Sequence, residues 1–174
     1  MSYGWSSLIA PATILAGMGL VLIAAVHDIV ARTVPNWVSV LLALVGLGAR
    51  IVDGKLMIGL LAALSVFMVA AFLWRRGWLG GGDVKLLGAA ALVLPPTSVI
   101  PFIVAMSISG SLLAMAYLAA GYAARAVRRP VATNGARPNG LIARAKRVEL
   151  WRMRRGGPLP YACAIAAGFL FILF

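Results

Sequence analysis

The chain has 174 residues, of which 63% are hydrophobic and 11% are charged, with a mean hydropathy of +0.99. A soluble domain has about 25% charged residues, so this composition excludes an ordinary soluble protein and indicates a polytopic membrane protein. The single cysteine, Cys163, excludes an internal disulfide and a CxxC zinc site. The formal net charge of +12 comes from basic residues at the ends of apolar runs, and we expect one membrane-embedded domain over residues 1–174.

Apolar runs predict an all-α fold with about six transmembrane helices, because a spanning helix needs about 17–25 mostly apolar residues. In chain order the predicted spans are Leu8–Val26, Trp37–Val52, Leu56–Trp74, Asp83–Leu94, Thr97–Ala124 and Leu159–Phe174. The fourth is short, about 18 Å as a helix against a hydrocarbon core of about 30 Å. We therefore expect Asp83 near or slightly within the membrane interface, where water reaches it.

The basic residues orient these spans through the positive-inside rule. Three alternate connections hold 14 of the 16 Lys and Arg residues. The 14 residues are Arg32 in the first of these connections, Arg75, Arg76 and Lys85 in or beside the second, and ten residues from Arg125 to Arg155 in the third. Only Arg50 and Lys55 lie on the other side. The pattern predicts that both termini lie outside and that three basic connections lie in the cytoplasm.

Two of the four acidic residues, Asp28 and Asp83, fall on this same predicted face. Asp28 follows the first predicted span, and Asp83 opens the fourth. A structural reading makes Asp83 a helix N-cap and pairs Asp28 with Arg32. A functional reading is favoured because acids near a membrane are costly. Asp53 lies in an Asp-Gly turn on the opposite face, where we expect a structural role.

A pair of neighbouring carboxylates can perform general acid–base catalysis. Two such groups share one proton, so one apparent pKa rises. The ionised partner then takes a proton from water, and the protonated partner supports the carbonyl oxygen. This chemistry needs no metal or other cofactor. The lone histidine, His27, argues against a Ser–His design, and we expect it to be interfacial.

The segment Gly80-Gly81-Gly82-Asp83-Val84-Lys85-Leu86 resembles the GxGDxKL motif of the type IV prepilin peptidases, a family of GxGD membrane aspartyl proteases. Asp28, followed by Arg32 and by Val34-Pro35-Asn36, resembles the D-x(3)-R-x-I-P-N pattern around the first aspartate of that family. Leu159-Pro160-Tyr161 is similar to its Pro-Tyr segment, although Ala162 stands where larger members usually have Gly. The glycines of the motif, Gly80 and Gly82 among them, permit positive φ and close approach of another backbone.

The resemblance implies that Asp28 and Asp83 are the catalytic pair. It implies an enzyme of the cytoplasmic (inner) membrane that removes the basic leader of a prepilin or pseudopilin. The N-terminal insert and cysteine tetrad of larger members are absent from this sequence. The chain therefore looks like the minimal type that serves tight-adherence (Flp-type) or archaeal-type pili, without the N-methyltransferase activity of larger members.

Each supporting residue of the motifs has two interpretations. Lys85 either steadies a carboxylate or phosphate group, or extends its charge to the interface. Arg32 either pairs with Asp28 or marks the cytoplasmic side. Pro35 suits the first turn of the second helix, and Asn36 is expected to hydrogen-bond nearby backbone.

The basic loop, about residues 125–157, is the largest hydrophilic element. Its segment Leu141–Met153 is typical of an amphipathic helix on anionic lipid. Docking of acidic pilus-assembly proteins is the alternative. Nucleic-acid binding is not expected, because the sequence contains no recognition motif.

Two other function classes stay open on the sequence alone. Paired membrane aspartates also serve proton-coupled transporters, and a non-enzymatic subunit of a pilus or secretion machine is the third possibility. A transport site is expected near the bilayer midplane, often between inverted repeats. Both aspartates are instead predicted at one face, which favours the peptidase.

Overall fold

The computed structural model describes residues 6–126 and 161–172, and this part of the chain is all-helical. Its helices are α1 (Ser6–Ala31), α2 (Asn36–Val52), α3 (Leu56–Arg75), α4 (Gly81–Val93), α5 (Val99–Ala126) and α6 (Tyr161–Phe171), with a 3-10 turn over Pro96–Ser98. The described residues contain no strand. The predicted all-α fold class is confirmed, and each of the predicted spans corresponds to one helix.

The described helices differ in their capacity to cross a bilayer. Three stretches, Ala12–Ala31, Leu56–Arg75 and Pro96–Ala123, are long and apolar enough to span it. Helices α2, α4 and α6 are shorter, at 17, 13 and 11 residues. Many large apolar side chains on the outside of the bundle are exposed, as lipid contact requires. The chain is a multi-pass membrane protein, and the side on which its termini lie remains a prediction.

The first helix is longer than hydropathy predicted. The expectation that Asp28 follows the first span at Val26 is wrong, because α1 continues to Ala31. Hydropathy falls at His27-Asp28, but a helix continues as long as its backbone hydrogen bonds do. The helix ends at Arg32, which has a φ of 56° and whose N–H donates to the carbonyl of Asp28 over 2.8 Å. Asp28 therefore lies on a helix rather than in a loop.

The short helix α4 lies at the centre of the bundle and contacts α1, α2, α3 and α6. Eight of its 13 residues are buried, and three of those eight are alanines. Gly46 of α2 permits the closest approach, since a Cβ there would lie 2.8 Å from the backbone of Leu92 and Val93. Because protein surrounds α4, its length of about 20 Å need not match the thickness of the bilayer.

The chain divides into two compact units. The first comprises Met1–Gly110 with Pro160–Phe174 and contains α1 to α4, the start of α5, and α6. An edge-to-face pair of Phe102 and Phe169, with ring centroids 6.2 Å apart, packs α5 against α6 within it. The second unit is Ser111–Leu159, of which the last turns of α5 are described. Most of the basic loop, with its predicted amphipathic helix Leu141–Met153, lies outside the described residues.

Candidate active site

Asp28 lies on the buried face of α1. This face repeats every three or four residues through Val21, Ala24 and Ala25, which places the carboxylate next on the same stripe. Asp28 is only 7% exposed. Its Oδ2 accepts a hydrogen bond of 3.2 Å from the backbone N–H of Ala162. The site therefore joins α1 to α6, across 134 positions of sequence.

Ala162 is the second residue of α6. The first N–H groups of a helix have no partner inside it and carry the positive end of the helix dipole. They favour a carboxylate over a neutral carboxylic acid. The Ala162 methyl is fully buried, at 0% exposure, so the bundle accommodates alanine where the motif usually has glycine. Sequence reasoning missed this contact, because a backbone donor has no signature of its own.

Asp83 occupies the third position of α4 and does not form the N-cap. The expectation of an N-cap is corrected, because the cap residue is Gly80, with φ −75° and ψ 143°. The carboxylate of Asp83 folds back and accepts a hydrogen bond from the backbone N–H of Gly80. This is the reverse half of a capping box, in which an acid at the third position binds the N–H of the cap residue.

The environment of Asp83 favours its protonated form. Burial raises the pKa of Asp83, the negative charge of Asp28 raises it further, and the hydrogen bond from Gly80 lowers it, with a net change from 3.8 to about 6. Asp83 lies outside the three long apolar helices, at the start of a short one. The effect of Asp28 means that the two carboxylates are close enough for their charges to interact.

The two aspartates lie at the same end of the bundle. Gly82 of α4 packs against Val34 in the connection between α1 and α2, where a Cβ on Gly82 would lie 3.0 Å from the Cβ of Val34. The start of α4 is thus held beside the end of α1. Two carboxyl groups in this arrangement, one buried against a helix N-terminus and one with a raised pKa, can divide the roles of base and acid.

The glycines of the motif serve close packing rather than an unusual backbone. Among the glycines of the described residues, positive φ is found at Gly54 and Gly77, and at none of Gly80, Gly81 or Gly82. A Cβ on Gly80 would lie 2.7 Å from Oδ2 of Asp83, and one on Gly81 would lie 3.2 Å from Nε1 of Trp74. The neighbours of these glycines are therefore side chains, and the carboxylate itself fills the space at Gly80.

Lys85 and Asn36 form a bond between α4 and α2. The Nζ of Lys85 donates to Oδ1 of Asn36 over 3.0 Å. Neither reading of Lys85 included this partner, and the expectation that the Asn36 side chain bonds nearby backbone is wrong. Pro35 stands one position earlier than expected, as the N-cap of α2. These contacts join the starts of α2 and α4 close to Asp83.

Arg32 and His27 flank Asp28. Arg32 is half-buried, and its backbone conformation ends α1. His27 is exposed, and its Nδ1 donates to the carbonyl of Thr33 over 2.7 Å. The imidazole thus stabilises the connection between α1 and α2, and its position at the membrane interface stays a prediction. No cluster of potential metal ligands occurs in the described part of the chain.

An apolar groove of about 600 Å³ runs between α1 and α6 beside Asp28. Its walls include Ala25 and Ile29, which bracket Asp28 on α1, and Cys163, which follows Ala162 on α6. No charged side chain lines it. The groove is large and apolar enough to hold a hydrophobic segment.

Comparison with known proteins gives one finding. No curated protein and no solved structure matches the chain. The sequence profile of the type IV leader peptidase family matches residues 15–115, a range that includes both Asp28 and Asp83. The match covers more than half of the chain, and the fold agrees with the membrane-embedded peptidase that the motifs indicate. The chain therefore belongs to the type IV leader peptidase family.

Proposed function

We propose that this protein is a membrane aspartyl endopeptidase that removes the leader of a prepilin or pseudopilin at the cytoplasmic face of the inner membrane. The observation that carries the proposal is the pair of Asp28 and Asp83, held at one end of the bundle by two different helices. The charge of Asp28 contributes to the raised pKa of Asp83. A pair coupled in this way can share one proton between its two carboxyl groups up to about pH 6.

In the proposed reaction Asp28 is the base and Asp83 the acid. Asp28 takes a proton from a water molecule, whose oxygen attacks the carbonyl carbon of the scissile peptide bond. Asp83 donates its proton to the carbonyl oxygen, which gives a neutral tetrahedral intermediate. The proton on Asp28 then passes to the leaving nitrogen, the C–N bond breaks, and Asp83 recovers its proton from the intermediate. The balance is one water consumed and two peptides released.

The assignment of roles follows from the partners of each group. The carboxylate of Asp28 accepts a hydrogen bond from the N–H of Ala162 at the positive end of α6. This contact stabilises the ionised form of Asp28. Burial favours the protonated form of Asp83. Difference in environment, rather than in residue type, thus separates acid from base.

The apolar groove between α1 and α6 supports a substrate with a hydrophobic segment. A chain seated there would pass Asp28 as it leaves the membrane, and a basic leader would continue into water. The predicted cytoplasmic position of both aspartates fits cleavage between leader and hydrophobic helix. Pilins of the tight-adherence (Flp) type are the proposed substrate class.

The basic loop is proposed to bind anionic lipid at the cytoplasmic surface, since clusters of Lys and Arg gain about 1 kcal/mol per residue there. Acidic assembly proteins remain the alternative partner, and no nucleic acid is expected. The placement of both aspartates at helix ends does not favour a midplane transport site, and nothing in the described helices favours a purely structural subunit.

The decisive experiment co-expresses the protein with a candidate prepilin and follows leader removal by size. Asp28→Asn and Asp83→Asn should each lower cleavage at least about 100-fold, because each removes a group that transfers a proton in the reaction. Gly48→Ala, at a position where nothing lies within 4 Å of an added Cβ, is the control and should cleave normally. If either catalytic variant processes the substrate at near the wild-type rate while inserted in the membrane, the proposed dyad is wrong.

A further inference from the structure

The far end of α4 contains a charged residue that the proposed chemistry does not use. Arg50, in the last turn of α2, is only 4% exposed, which makes it a buried cation among apolar helices. Burying a charge is costly unless it is paired and hydrogen-bonded. The positive-inside pattern accounts for Arg50 only as one of two basic residues on the predicted outer side, so its burial needs an explanation.

The carbonyl groups at the end of α4 have an unusual shortage of donors. A helix usually ends with N–H groups of the next two residues bonding its last carbonyls. After the C-cap Leu94 those two residues are Pro95 and Pro96, which have no N–H. Val93 and Leu94 are 1% exposed, so water is not the replacement. A donor must come from another helix.

Arg50 supplies this donor. Its Nη2 donates to the carbonyl of Val93, the last residue of α4, over 3.4 Å. The same nitrogen lies 3.1 Å from Oδ2 of Asp53, which neutralises the charge. A cation at a helix C-terminus also stabilises the negative end of the dipole. The guanidinium therefore caps α4 from the side of α2.

Two glycines make room for this arrangement. Gly46, one turn before Arg50 on α2, lets the backbone of α2 approach the last turn of α4. Gly59 of α3 covers the stem of Arg50, and a Cβ there would lie 2.6 Å from Cδ and 2.7 Å from Cγ. The arginine is thus enclosed between α2, α3 and α4.

We infer that Arg50 is a positioning residue for Asp83, which sets the height of α4 along the bundle by holding its C-terminal end. Since α4 is one unbroken helix from Gly81 to Val93, a shift at its last carbonyl moves Asp83 relative to Asp28. At the start of α4, the bond from Lys85 to Asn36 is exposed to solvent. Arg50 forms the buried counterpart of this contact.

The inference rests on the proposed function for its kinetic readout, so the test includes a second readout that needs no substrate. A hydrophobic carbodiimide modifies protonated carboxyl groups, and mass spectrometry of the purified full-length protein can follow the labelling of Asp83 against pH. The midpoint of that labelling reports the environment of Asp83 even if no prepilin is cleaved.

Arg50→Met removes the donor and keeps the apolar stem. We expect kcat to fall about 10–100-fold with KM within about twofold, because a displacement of about 1 Å in a catalytic group costs up to 100-fold. We also expect the labelling midpoint of Asp83 to move down toward the ordinary carboxyl range. Arg50→Lys retains a charged donor and should recover kcat to within about fivefold of wild type.

Gly59→Ala tests the same point with the guanidinium intact, since the added methyl displaces the stem of Arg50. It should lower kcat in the same direction as Arg50→Met. Gly48→Ala is the matched control, because nothing lies within 4 Å of a Cβ there, and it should keep kcat within about twofold.

The inference is overturned if folded Arg50→Met keeps both kcat and the labelling midpoint of wild type. It is also overturned if the variant loses thermal stability while kcat per folded molecule is unchanged, since the role is then purely structural. If Arg50→Met does not fold, a wild-type kcat and midpoint in Gly59→Ala overturns it instead. A wild-type protein that cleaves no prepilin contradicts the proposed function alone, and the labelling midpoints still decide the role of Arg50.

Discussion

Helix α4 has an acidic side chain in its first turn and a basic side chain bonded to its last carbonyl. Asp83 stands in its first turn, where the helix dipole is positive, and Arg50 reaches its last carbonyl, where the dipole is negative. Both placements favour the helix. At the first end, burial and the charge of Asp28 raise the pKa of Asp83 to about 6, so this end can exchange a proton with water at about that pH.

Replacing the titrating group should give the largest effect and should separate catalysis from stability. Asp83→Asn is expected to abolish cleavage, by about 100-fold or more, without lowering the melting temperature in detergent at pH 8. The expected direction of the stability change follows from the raised pKa of Asp83. Folding favours the protonated acid, so the contribution of Asp83 to stability is greatest at low pH and is lost as pH rises to about 6.

A neutral asparagine does not lose folding stability in this way as pH rises. The difference in melting temperature between variant and wild type should therefore be larger at pH 8 than at pH 4. A variant that is inactive and much less stable at pH 8 would mean that Asp83 is needed for folding.

At the other end of α4, overpacking should lower stability. Gly46→Val places side-chain atoms where the backbone of Leu92 and Val93 already lies, 2.8 Å from the first added carbon. We expect a loss of about 1–3 kcal/mol, measured as a lower denaturation midpoint. Gly48→Val, on the same helix with open space around it, serves as the control. Equal losses in both variants would mean that valine is simply unfavourable in α2.

The pH dependence of cleavage tests the titrating end directly. With Asp83 as the acid, kcat/KM should fall as pH rises above about 6, approaching tenfold per pH unit. Asp83→Glu retains a carboxyl group and should keep this alkaline limb if it retains activity. A rate that is flat from pH 5 to pH 9 would exclude Asp83 as the proton donor.

The contact between Lys85 and Asn36 should give the smallest effect, because it is exposed. Lys85→Gln is expected to change kcat/KM by less than about threefold, in line with surface polar pairs of less than about 1 kcal/mol. A double-mutant cycle with Asn36→Ala measures the coupling. A loss of 100-fold in Lys85→Gln would instead indicate that the ammonium acts on the substrate.

Sequence patterns predicted the helices well and their ends less well. Hydropathy located every described helix, since a bilayer selects for long apolar runs. It placed the end of the first helix at Val26, because hydropathy measures side chains, whereas helix ends depend on backbone bonds. The Gly-Gly-Gly run suggested positive φ angles at Gly80 to Gly82. In the structure these φ angles are not positive, and glycine is favoured because a Cβ would crowd neighbouring side chains.

The candidate site was predictable where residue type carries the chemistry. The two aspartates stand out because acids are rare in this chain. The N–H of Ala162 had no sequence signal, since any residue presents one. Two features of the sequence together indicate the position of Arg50. It is a lone charge within an apolar run, and a short predicted helix elsewhere in the chain is followed by Pro95-Pro96. Connecting them required knowledge of which helices are neighbours.

The hydrogen bond from α6 to Asp28 also has a consequence for biosynthesis. The donor at Ala162 belongs to the last described helix, whereas Asp28 belongs to the first. A ribosome-bound chain that has inserted only α1 to α4 already contains both aspartates but lacks the group that stabilises the charge on Asp28. We therefore expect the proposed peptidase activity to begin only after α6 has been translated and has entered the membrane.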